Sequence, residues 1–137
     1  MKNKRTWLLI AVFSVMALLM GTANVGADQM AAVATTAADW TSGAHSVVTV
    51  DPVGGPRTAQ NDLVPTGSDI IMAAYGSHFY RIERYQADNV TKFPIDDPTN
   101  PVWQYSVLDD GEEGSSNPHD MVFASEKKAY IMRFGMD

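Results

Sequence analysis

The chain contains no cysteine. That excludes disulfides, thiolate metal sites, a cysteine nucleophile and the acylated cysteine of a bacterial lipoprotein. Basic residues are scarce and scattered: ten Lys and Arg stand against sixteen Asp and Glu, for a net charge of −6. Without a basic cluster there is no electrostatic footprint for nucleic acid. Long apolar runs are missing as well. The longest, Trp7 to Met20, has 14 residues, short of the roughly 20 that a spanning helix needs. No GxSxG, HxH or HExxH pattern occurs, and no glycine-rich phosphate loop opens a helix.

What the sequence does have begins at its N-terminus. Lys2, Lys4 and Arg5 precede the apolar run, and Val25 and Ala27 supply small residues at −3 and −1 of a cleavage site. These are the three parts of a secretory signal of bacterial type. The expectation is a signal peptide over residues 1–27, a mature start at Asp28, and a secreted or periplasmic protein with no membrane span after cleavage. A retained anchor is the competing reading, because residues 22–27 are mild enough to lengthen the span. Cleavage removes three cations and no carboxylate, taking the net charge from −6 to −9.

Residues 28–45 are rich in Ala and Thr and lack a sustained period, which predicts a flexible leader. Residues 46–137 carry strand signals. Ser46–Asp51 is β-branched and stops at Pro52, and 52–68, with three prolines and three glycines, predicts a long loop. Asp69–Tyr75 is a continuous apolar run of the kind that is covered on both faces. Gly76-Ser77 marks a turn before the alternating segment His78–Tyr85. Further strands are expected over 89–95 and 102–108, the latter with Trp103, Tyr105 and Val107 on one face.

A slide of 51 residues places Asp69–Ala74 on Asp120–Ser125 and Phe79 on Tyr130, and Val50-Asp51 resembles Leu108-Asp109. A period near 50 with four strands per unit is a signature of propeller blades. Residues 118–135 (PHDMVFASEKKAYIMRFG) and the segments 79–82 and 89–93 resemble the YVTN-type repeat of bacterial surface and periplasmic β-propellers. The turn at Glu126-Lys127-Lys128 departs from the Asp-Gly usual there. The resemblance implies an all-β fold, a partial β-propeller with about one full four-stranded blade plus flanking strands. A free-standing β-sandwich is the alternative. A blade alone exposes both faces, which predicts that Ile71, Met72, Tyr80, Ile82, Trp103 and Tyr105 stay uncovered without neighbours, that the 110 mature residues are unstable as a monomer, and that exposed sheet edges self-assemble.

The candidate ligand-binding residues are Asp69 and Asp120, equivalent carboxylates entering what the resemblance makes the innermost strands. The competing reading is that each accepts backbone N–H bonds at a loop-to-strand junction. The acidic stretch 109–117 lacks the ligand spacing of a calcium loop, since position 3 counted from Asp109 is Gly111, and reads as a solvated loop. His45, His78 and His119 share no spacing, and Met72, Met121 and Met132 read as core filling. No cofactor, metal or catalytic residue is expected. The leading expectation is a non-enzymatic exported module that binds an envelope protein, a surface polymer or a small ligand. The alternative is part of a lactonase-like or quinoprotein-dehydrogenase-like propeller enzyme, whose site draws on further blades.

Overall fold

The computed structural model describes residues 29–134, and the expected signal peptide and its cleavage site lie outside them. Every regular element among the described residues is a strand. The nine strands form three antiparallel sheets, with no closed barrel among them. In the first sheet β1 (Gln29–Thr36), β2 (Gly43–Asp51) and β3 (Ala59–Thr66) lie in sequence order. The central sheet has four strands in order, β4 (Ile70–Tyr75), β5 (His78–Glu83), β6 (Asn89–Pro94) and β7 (Trp103–Ser106). A hairpin of β8 (Pro118–Ser125) and β9 (Lys128–Arg133) makes the third.

Period-2 alternation on β5 explains how the sheets stack. Phe79 joins Val47 and Phe93 in a buried cluster that also takes in Met30, Ala32, Leu63 and Met72, so this face of the central sheet lies on the first sheet. Tyr80 and Ile82 point the other way, into a cluster with Val90 and Met121 that is bordered by Phe123, Ala129 and Ile131 of the hairpin. Strand β5 at the middle of the central sheet is thus covered on both faces from within the chain. Tyr80 is 4% exposed and Ile82 fully buried. This corrects the expectation that both would meet water without neighbouring blades. Trp103 is half-buried, and Tyr105 on the edge strand β7 is exposed. Apolar surface is also uncovered on the outer face of the hairpin, where Val122, Tyr130 and Met132 are 61%, 58% and 64% exposed. Met132 is therefore not core filling.

Two further expectations are corrected. The Ala/Thr-rich segment expected to be a flexible leader contains β1, paired along its whole length with β2. Its small side chains carry no apolar period, so cross-strand pairing and the packing of Met30 and Ala32 make it a strand, rather than intrinsic preference. The expected loop over 52–68 contains β3. Pro65 is tolerated there because β3 is an edge strand, where a missing N–H disrupts no ladder. A bulge between His45 and Val47 opposite β3 takes up Asp62, whose φ is +51° and whose N–H is bonded to Ser46 Oγ.

Candidate functional site

The strand entries carry the two carboxylates singled out from sequence. Asp69 precedes β4 directly, and its carboxylate accepts the Tyr85 N–H at 3.3 Å and lies 3.4 Å from Arg84 Nε. Its backbone oxygen accepts the Arg84 N–H at 2.9 Å. Asp120 is exposed on β8 and accepts its own strand's Met121 N–H at 2.7 Å. Arg84 reaches toward the second entry, donating to Asn117 Oδ1 at 3.5 Å and to His119 Nε2 at 3.3 Å. Asp69 and Asp120 sit at separate strand junctions. Each accepts backbone N–H bonds at its junction, and Arg84 ties the junctions together. Among the described residues no group of three or more His, Asp or Glu is placed to hold a metal ion.

The acidic stretch after β7 is held from two sides. Arg133 donates to Glu112 at 2.6 Å, to Asp109 at 3.2 Å and to the Val107 carbonyl at 2.7 Å. The Asp109 N–H and Arg133 together lower the Glu112 carboxyl below its ordinary range. Further along, Asp88 is buried in the turn between β5 and β6, and one carboxylate oxygen accepts from Ser115 Oγ, Ser116 Oγ and the Asn117 N–H. Hydrogen bonds to a charged acceptor are the stronger kind, so Asp88 fastens this loop to the central sheet.

A buried polar network lies between the first and central sheets. His45 is fully buried, edge-on to Phe79 and Phe93 at centroid distances of 5.0 and 4.6 Å. Its Nε2 is 2.7 Å from the Pro98 carbonyl, which only accepts, so Nε2 carries the proton. Nδ1 then accepts from Arg81 Nη1 at 3.3 Å. Arg81 also pairs with Glu83 at 3.5 Å, and Glu83 accepts from Thr66 Oγ1 and Gln104 Nε2. Burial pushes the His45 pKa down from its ordinary value of 6.5; the Pro98 bond opposes this and the Arg81 charge adds to it. A second proton on the ring would sit on Nδ1, facing the guanidinium.

The sign of the resulting pH dependence follows. The folded chain keeps His45 neutral where the unfolded chain protonates, so unfolding takes up a proton below about pH 6.5. Folding stability is therefore full above that pH and falls as pH drops below it, by at most about 1.4 kcal/mol per pH unit until the folded-state value is reached. Urea unfolding between neutral and mildly acidic pH checks this. The slope should vanish in His45→Phe; an unchanged slope there would assign the effect elsewhere.

The third arrangement is a cleft of about 400 Å³ between the open half of the central sheet and the hairpin. Tyr80, Trp103 and Tyr105 supply its aromatic wall, with Trp103 and Tyr105 at 4.9 Å and Trp103 and Tyr80 at 5.8 Å between centroids. Lys92, Lys127 and Lys128 also line it. The cleft was not legible in the sequence as a site, because its residues come from five strands, β5 to β9, and the turn between the last two. The only signal was the alternation of Trp103 and Tyr105 on one strand face. Comparison with family models, curated proteins and solved structures finds no match.

Proposed function

We propose that this chain is part of an exported β-propeller and acts in the cell envelope as a non-enzymatic binding module. The observation that carries this reading is a register equivalence between the central sheet and the hairpin. Counted from the turns at 76–77 and 126–127, Tyr80 corresponds to Tyr130 and Ile82 to Met132. Their strand partners correspond too, Ala73 opposite Tyr80 and Val122 opposite Tyr130, once the bulge between Phe123 and Ser125 is taken up. In the central sheet this face is buried under the next sheet. On the hairpin it is open, as it is where a further blade would seat. The spacing is thus 49 along β8 before the bulge and 50 beyond it, so by register Tyr130 answers to Tyr80 rather than to Phe79, and Asp120 to Ile71 rather than to Asp69.

Strand direction adds support. Thr36, ending β1, donates to the Ser68 carbonyl just before β4, so β1 runs opposite to β4 and in the sense of β5. By the same count β2 and β3 run as β6 and β7 do. The first sheet reads as the last three strands of a blade, and Val50-Asp51 of β2 is not the counterpart of Leu108-Asp109. Arg84 bridges the starts of β4 and β8, so these two run in the same sense. The export reading rests on the leader described above, and the binding reading on the aromatic and cationic cleft.

Two measurements test this. Val122→Lys together with Tyr130→Glu, an opposite-charge pair across the two strands, should change the unfolding free energy by no more than about 1 kcal/mol while abolishing concentration-dependent self-association in sedimentation. A wild-type chain that stays monomeric at high concentration would count against a seat for a further blade. Mass spectrometry of protein from envelope or medium should show an N-terminus at Asp28; full-length chain embedded in membrane would overturn export with cleavage.

A further inference from the structure

We infer that β9 and the adjoining cleft accept an extended acidic polypeptide strand from a partner, which pairs with β9 and lays its apolar side chains on Trp103 and Tyr105. The inference rests on the reading of the chain as a binding module and names the chemistry of its partner.

The hairpin is narrower than the sheet it packs on. Its two strands lie against a four-stranded sheet, with β8 over β4 and β5. Among the described residues β9 is consequently an edge, with no strand paired to its outer N–H and C=O groups. Neighbouring strands sit about 4.8 Å apart and stacked sheets about 10 Å apart. A strand added beyond β9 therefore falls over β6 and β7, whose Trp103 and Tyr105 it would cover. Main-chain bonds to an exposed edge supply affinity, and alternate side chains supply specificity.

Charge selects the partner. Among the described residues the ion pairs belong to Arg81, Arg84 and Arg133, and no lysine is paired with a carboxylate. All three lysines of the described residues line this cleft, with Glu126 the one carboxylate beside them. Lys92 Nζ stands 5.8 Å from the Tyr80 ring and Lys128 Nζ 4.9 Å from the Tyr130 ring. On a chain of net charge −6, this is a local cation excess beside apolar rings and an open backbone edge. A strand with alternating apolar residues and carboxylates meets all three features. A sugar polymer meets the rings and the lysines but leaves the β9 edge unpaired.

The test uses the full chain and a dye-labelled eight-residue peptide alternating valine and glutamate, with binding read by fluorescence anisotropy. Saturable binding that weakens with salt is expected. Methylating alternate backbone nitrogens, so that the peptide cannot pair with an edge, should weaken it about ten-fold, the loss of roughly one or two net hydrogen bonds. Joint Lys127→Glu and Lys128→Glu substitution, at the exposed turn and first residue of β9, should weaken it to a similar degree and turn the preference toward a valine–lysine peptide. No binding, or equal binding of the methylated peptide in both registers, would overturn the proposal. So would displacement by an oligogalacturonate that binds tighter than the peptide, which would assign the cleft to an acidic polysaccharide. None of these outcomes touches the Val122 and Tyr130 test, so the strand-acceptor idea and the blade-register reading fail separately.

Discussion

Replacing Phe79 by alanine is expected to destabilise the chain by about 3–5 kcal/mol, the range for removing a buried aromatic side chain. Phe79 is fully buried where the central sheet meets the first sheet. Its ring stacks on Phe93 at 5.1 Å with an interplanar angle of 11°, and His45 stands edge-on to both. Truncation removes the ring's own burial and leaves a cavity against Val47 that two paired sheets cannot collapse to fill. It also removes the aromatic pair, worth about 0.5–1.5 kcal/mol beyond its area. A domain's total stability is about 5–15 kcal/mol, so the loss is a large share of the whole. Urea unfolding followed by tyrosine and tryptophan fluorescence measures it, and Phe79→Leu, which refills most of the volume, should lose much less. A cost below about 1 kcal/mol for alanine would mean that the first and central sheets do not pack as described.

The strands β4 to β9 were legible because each carries its own local signal. Alternation at Tyr80 and Ile82, the aromatic face of Trp103 and Tyr105, and the turn at 76–77 place β4, β5 and β7 to within two or three residues of where they stand, and the recurrence of 69–74 at 120–125 marks β8. β1 and β3 were not legible, for different reasons. β1 is built of Ala, Thr and single Gln, Met and Val residues, so its faces differ little in hydrophobicity and only pairing with β2 defines it. β3 holds Asn61-Asp62 and Pro65, all turn signals by composition. Those signals are overridden by the bulge opposite His45 and by Arg81, which donates to the Val64 carbonyl from the facing sheet at 3.2 Å.

The site followed the same division. Asp69 and Asp120 were visible because an Asp followed by an apolar run recurs 51 residues on; Asp69 stands just before β4 and Asp120 is the third residue of β8. The buried network was hidden for a geometric reason. His45 and Arg81 are 36 residues apart and meet only when two sheets stack. In β5 the alternation His78–Glu83 reads as one apolar and one polar face, whereas both faces are buried and the polar one is paired across the interface.

That polar face makes Arg81→Met the most informative single change at the interface, with an expected cost of about 3–5 kcal/mol, as for breaking a buried ion pair from one side. Methionine keeps much of the stem that packs near Phe93, whose centroid lies 5.4 Å from the guanidinium carbon. What it removes is the charge opposite Glu83 and the donors to His45 Nδ1 and the Val64 carbonyl. Glu83 is then a buried anion held only by Thr66 and Gln104. Glu83→Gln alone is expected to cost less, because glutamine still accepts from Thr66, although Arg81 is left without its counterion. The double variant should recover much of the Arg81→Met loss, since desolvating two charges offsets most of what their attraction contributes. A double-mutant cycle from urea unfolding at neutral pH reads this as a coupling of about 1–3 kcal/mol. Additive losses would show that Arg81 acts through packing on Phe93 and not through its charge.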